Sequence, residues 1–125
     1  ARKKIPVLKG WTDLRLSESD LPAHFNGTGN IGVLLGEPSG WLIDVDLDCD
    51  EAVALAPKFL PPTGATSGRP GKPASHWWYV CEGIKTRKHQ DPVSKKMIVE
   101  LRSTGAQTVV GPSIHPSGEP YDPLD

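Results

Sequence analysis

Residues 43–48, IDVDLD, alternate apolar and acidic side chains without a break. That period of two is the mark of a β-strand, on which successive side chains take opposite faces. Asp44, Asp46 and Asp48 therefore share one face, and Ile43, Val45 and Leu47 the other. The apolar face demands a core to pack on. The acidic face is harder to explain, because Asp is among the poorest strand formers and like charges at i and i+2 repel. Two readings stand. One is a sheet with a buried face and a wet face. The other is a site for a hard divalent cation, Mg²⁺ or Mn²⁺, which takes carboxylate oxygens and removes the repulsion.

The rest of the chain is read around this strand. SESDLPAHF predicts a short helix entered through Ser17 or Ser19, with acids in its first turn. NIGVLLG reads as a strand and EPSG as a turn, so residues 30–48 are expected to form a hairpin. Asp50 is expected to cap a helix through EAVALA that Pro57 disturbs or ends. GAT in the loop before Ser67 is a possible short strand, and SHWWYVC, KMIVELRS and QTVVGPS are strands. Trp77 and Trp78 project to opposite faces, one for the core and the other for hydrophobic cover or base stacking. The 13 glycines and 13 prolines exceed the roughly 9 and 6 of average usage, which implies many enforced turns. The expected class is α+β: a mixed or antiparallel sheet with few short helices, covered on one face, as a single domain over residues 1–125.

Composition narrows the function less. A formal net charge of −1 gives no global signal for nucleic acid. The cations are nevertheless gathered, in Arg2, Lys3, Lys4 and Lys9 at the amino terminus and in Lys85, Arg87, Lys88, Lys95 and Lys96. Cys49 and Cys81 stand alone with no metal-type spacing, as expected of reduced thiols in a cytoplasmic protein. No apolar run of about 18 residues is present. The chain begins at Ala1 and its one methionine is Met97, so it reads as an excised or processed piece of something longer.

Glu100 lies in an otherwise apolar run and shares a strand face with Ile98 and Arg102. If its strand neighbours the first, three carboxylates converge, and three can hold two metals for in-line phosphoryl transfer. TSGRPGKPASH has the parts of an anion loop. Gly68 and Gly71 let backbone amides approach, Arg69 offers a fork, and Lys72 adds a point charge. Ser75 and His76 sit where the loop enters a strand; taken alone, His76 equally suits a structural hydrogen bond.

The ordered blocks NIGVLLGEPSGWLIDVD, SGRPGKPASHWWY and IVELRSTGAQTVVGPSIHPSGEPY resemble the prim-pol domain of bifunctional DNA primase/polymerases, in the archaeo-eukaryotic primase superfamily. The resemblance spans about residues 4 to 122. It implies that Asp44, Asp46 and Glu100 are catalytic metal ligands for two divalent ions, Mg²⁺ or Mn²⁺, and that His76 contacts the phosphates of the incoming nucleotide. Arg69 and Ser75 match the same motif and join it there, and the loop itself adds Lys72. Two departures are visible. Ala74 stands where the family's Ser-x-His form has serine, and Gly111 replaces the first proline of its PPS-x-H block. Asp48, beyond the matched acids, is expected to be peripheral or to support the ligands from behind. Ser113, His115, Asn30 and Gly32 are each open to a pocket role or an ordinary structural one.

The implied activity is that of a nucleotidyltransferase, a DNA primase or DNA-directed DNA polymerase. Its partners would be nucleoside triphosphates, a single-stranded DNA template, and a helicase domain or protein. The setting would be DNA replication, with primer synthesis, in mobile elements. The basic stretch and the amino-terminal arm are candidates for template phosphates. Two rivals remain: a metal-dependent nuclease or phosphohydrolase, and a non-catalytic nucleic-acid-binding replication module.

Overall fold

A computed structural model describes residues 4–123 of the chain, and the expected contributions of Arg2 and Lys3 lie outside it. The strands are β1 (Ile31–Leu34), β2 (Leu42–Leu47), β3 (Thr66–Arg69), β4 (Lys72–Val80), β5 (Arg87–Gln90), β6 (Met97–Arg102) and β7 (Gln107–Val110). They form a five-stranded sheet in the order β3-β4-β2-β6-β5 and a two-stranded sheet of β1 with β7. Every pairing is antiparallel. The helices are α1 (Leu21–His24) and α2 (Asp50–Phe59). The fold is thus α+β with antiparallel sheets and two short helices.

The acidic strand β2 is the middle of the large sheet, because its apolar face is what the core is built on. Val45 and Leu47 are buried with Ala56 of α2, and Ala52, Val53, Leu60, Trp77, Tyr79, Val99 and Leu101 pack around them. Burying each such aliphatic side chain contributes roughly 1.5–3 kcal/mol. Helix α2 begins at Asp50 rather than after it. Its N-cap is Cys49, whose side chain makes no capping hydrogen bond. Asp50 and Glu51 instead suit the positive end of the helix dipole. The helix runs through Pro57 to Phe59, so the proline costs it only the hydrogen bond that an N–H there would give the Val53 carbonyl.

The expected hairpin over residues 30–48 does not form. β1 pairs with β7, in the register Ile31↔Val110 to Leu34↔Gln107, and meets β2 only at the bridge Gly36↔Leu42. The cause is local. Gly36 has φ 79°, a 3-10 turn occupies Glu37–Ser39, and Gly40 has φ 67°, so the chain swings out of one sheet before entering the other. A Cβ on Gly36 would lie 2.1 Å from the Thr104 backbone nitrogen, so only glycine fits there.

The large sheet is not covered on one face only. The β1–β7 pair lies over the first half of the acidic face, where Leu35, Trp78 and Val110 form a second buried cluster joined by Ile31, Val33 and Leu42. Both tryptophans of SHWWYVC are packing residues. The Trp78 indole donates to Ser67 Oγ at 2.9 Å and the Trp77 indole to the Ala74 carbonyl at 3.0 Å. The predicted helix near Ser17 is a 3-10 turn, Glu18–Asp20, leading into α1. A capping box between Ser17 and Asp20 closes its start. RKHQ, a fully exposed polar run, is the edge strand β5. Among the described residues no helix is long and apolar enough to cross a membrane.

Candidate active site

Registers across the large sheet align five residues in one row. Ser67 of β3 is opposite His76 of β4, and His76 is opposite Asp46 of β2. Asp46 is opposite Glu100 of β6, and Glu100 is opposite Lys88 of β5. Residues directly opposite across an antiparallel pair have neighbouring side chains on the same face. The expected convergence of Glu100 with the acidic strand is therefore a direct consequence of β2 pairing with β6.

Asp46, Asp48 and Glu100 each offer a carboxylate oxygen within 4.8 Å of the others. Asp48, expected at the periphery or behind the ligands, stands within this group itself. Its backbone N–H donates to the Ile98 carbonyl at 2.9 Å, so the extended path of β2 continues and keeps Asp48 on the face of Asp46. Burial, and then the charge of Asp46, push the Asp48 carboxyl above its ordinary pKa, while Lys72 and Arg102 pull it back. The Lys72 ammonium is 3.5 Å from Asp48 Oδ1.

Asp44 lies apart from this trio. Fully buried, it accepts on Oδ2 from Thr108 Oγ1 of β7 at 2.6 Å and from His76 Nδ1 at 2.8 Å. Since an ionised carboxylate only accepts, Nδ1 carries the proton and Nε2 is the imidazole's remaining polar atom. His76 Nδ1 is also 3.6 Å from Asp46 Oδ1. Asp44 Oδ1 is buried with no partner among the described residues, an expensive arrangement for a carboxylate oxygen.

A cation already stands among these acids. Arg102 Nη2 is 2.7 Å from Asp46 Oδ2, and its Nε is 3.6 Å from Glu100 Oε2. Its Nη1 donates to Thr108 Oγ1 at 3.2 Å and to the Gln107 carbonyl at 3.4 Å. Burial alone would lower the pKa of Arg102. The carboxylates of Asp46, Glu100, Asp44 and Asp48 outweigh that and hold it above the ordinary arginine value. Neither Arg102 nor Thr108 was singled out from the sequence as a functional residue. Arg102 had a signal, since it shares a strand face with Glu100; Thr108 had none.

The anion loop is brought to the same side of the sheet as His76. Arg69 Nη1 donates to Glu119 Oε2 and the Gly71 backbone N–H to Glu119 Oε1, so one carboxylate occupies both donors. Ser117 Oγ donates to Glu119 Oε2 at 2.9 Å. Hydrogen bonds, that from Ser117 foremost, hold the Glu119 carboxyl below its ordinary pKa. Ser75 is buried one residue before His76, and strand alternation puts it on the opposite face of β4 from His76. Ser113 Oγ accepts from the Ile31 backbone N–H at 2.7 Å, and Asn30 exchanges two hydrogen bonds with the Ile114 backbone. These two residues tie the segment after β7 to the start of β1. His115 accepts on Nδ1 from the Ser117 backbone N–H at 3.0 Å and sits edge-on to Tyr121. Burial, then the charge of Arg69, lower the pKa of His115.

The whole sequence, residues 1–125, matches the Prim-Pol family model, described as "Bifunctional DNA primase/polymerase, N-terminal". The chain belongs to the Prim-Pol family. No curated protein and no solved structure matches it. Membership makes DNA primase/polymerase activity, and with it DNA and nucleotide substrates, the context of the site. The donor set of this Prim-Pol domain fits the divalent metal such enzymes use. It is all carboxylate oxygen, as hard cations require, and three of the acids are already close enough to share an ion.

Proposed function

We propose that this domain carries out template-dependent nucleotidyl transfer by a two-metal mechanism, extending or starting a DNA primer. The observation that carries this reading is the in-register row of His76, Asp46 and Glu100, with Asp48 beside it. Asp46, Glu100 and Asp48 hold Mg²⁺ or Mn²⁺, and the unpartnered Oδ1 of Asp44 is the remaining carboxylate oxygen of the expected ligand set. Bound there, two such ions lower the pKa of an attacking 3′-hydroxyl and steady the leaving pyrophosphate.

The chain's own residues do the positioning. Asp44 and Thr108 fix the His76 ring so that Nε2 is free for a phosphate oxygen. Arg69 and the Gly71 amide, once released by Glu119, grip the triphosphate together with Lys72. The 3′-oxygen forms a bond to the α-phosphorus, and the bond from that phosphorus to the bridging oxygen of the β-phosphate breaks. Pyrophosphate departs with the electron pair, and the hydroxyl proton passes to water. Lys85, Arg87, Lys95 and Lys96 are all exposed and offer the template phosphates a salt-sensitive track.

The test is incorporation of nucleotides on a primed single-stranded template with Mn²⁺. Asp46→Ala and Glu100→Ala should each lower the rate roughly a hundredfold or more, since a metal-held charge supplies several kcal/mol. Incorporation that survives both changes at a similar rate overturns the proposal. So does a wild-type domain that shortens the oligonucleotide in Mn²⁺ without nucleotides and never extends it.

A further inference from the structure

On the far side of Glu100 from His76 lies an open cleft of about 480 Å³ that the reading above does not use. Trp11, Lys4 and Lys88 line it, and Glu100 and Arg102 belong both to it and to the acidic cluster. Its other wall is the amino-terminal segment, fastened where Gln107 Nε2 donates to the Lys4 carbonyl at 2.9 Å. An indole for a base and a lysine for a phosphate form a recognisable combination. It is the chemistry that holds single-stranded nucleic acid without reading its sequence.

The direction of the row says which strand end belongs there. Neighbouring strands are about 4.8 Å apart, so His76 and Lys88 stand roughly 14 Å from each other with Asp46 and Glu100 between them. The anion-gripping residues Arg69 and Lys72 are on the His76 side, with β3 and β4. In-line displacement puts the attacking oxygen and the leaving pyrophosphate on opposite sides of the phosphorus. With the leaving group toward β4, the attacking group arrives from the side of β5.

We propose that this cleft seats the 3′-terminal nucleotide of the acceptor strand, its base against Trp11, its phosphate at Lys88, and its 3′-hydroxyl directed to Glu100. The assignment rests on the nucleotidyl-transfer reading and deepens it. A single-stranded oligonucleotide carrying a 3′-terminal 4-thiothymidine, irradiated with the full domain and mapped by peptide mass spectrometry, tests it without needing turnover. Adducts should fall within residues 4–11 or 86–88. Trp11→Ala and Lys88→Gln should each weaken oligonucleotide binding about tenfold, within the range of one lost stacking or phosphate contact. Neither should change the affinity for nucleoside triphosphate.

Adducts at residues 69–76 or 115–119, or none that saturate, overturn the placement, as does unchanged oligonucleotide affinity in Lys88→Gln. If the domain extends primers but cross-links elsewhere, the cleft assignment fails and the activity stands. If it cross-links here yet never extends a primer, the placement of the strand end stands and the activity fails.

Discussion

Arg102 lets the acidic row exist before any ion arrives, and replacing it by methionine, which keeps much of its apolar stem, isolates that role. Asp46, Asp48 and Glu100 present oxygens no more than 4.8 Å apart. At that separation each like-charged pair repels by about 3.5 kcal/mol at an effective dielectric of about 20. The guanidinium offsets this from 2.7 Å at Asp46 and 3.6 Å at Glu100. Removing one partner of a buried ion pair costs about 3–5 kcal/mol. Because 20% of the Arg102 side chain is exposed, the lower end applies. For a domain of this size a loss of about 3 kcal/mol lowers Tm by on the order of 10 °C. Mn²⁺ should return much of it, since an ion at a hundredfold excess over its Kd contributes about 2.7 kcal/mol. Thermal unfolding of both proteins, in chelator and then in Mn²⁺, measures the two effects. The Mn²⁺-induced rise should be larger in Arg102→Met, where the ion meets uncompensated carboxylates. A variant that loses less than about 1 kcal/mol in chelator, or that gains no more from Mn²⁺ than wild type, refutes this account.

Two more outcomes follow from the same geometry. Glu119→Gln weakens the carboxylate's hold on Arg69 and the Gly71 amide, so nucleoside triphosphate should bind about two- to fivefold more tightly by calorimetry, the span of an exposed ion pair; unchanged or weaker binding makes Glu119 a simple tether. Thr108→Val removes the hydroxyl that donates to the fully buried Asp44 and should cost about 2 kcal/mol in unfolding, with Thr108→Ser restoring most of it.

How much of this was legible in the sequence depends on the range of each interaction. The face of an isolated strand is a local property, so the division of 43–48 into a core side and an acid side was readable from alternation, and so was the face that Glu100 shares with Arg102. Which strands meet is not local. NIGVLLG carries the same apolar signal whether it pairs with residue 42 or residue 110, and the choice turns on Gly36 and Gly40, whose positive φ values redirect the chain. RKHQ has no apolar period at all; it is a strand because β6 offers it an edge, and its charges protect that edge. Asp48 shows how the local signal is lost. It is one residue past the end of β2, where a strand is free to turn, and only the hydrogen bond to Ile98 on β6 keeps its carboxylate on the acid face. Thr108 lies further from sequence reasoning still. It reaches Asp44 because a second sheet folds over the first, and that same contact orients His76. Alternation could thus assign the acids to a face, while the groups that hold them in place come from pairings that only the folded molecule specifies.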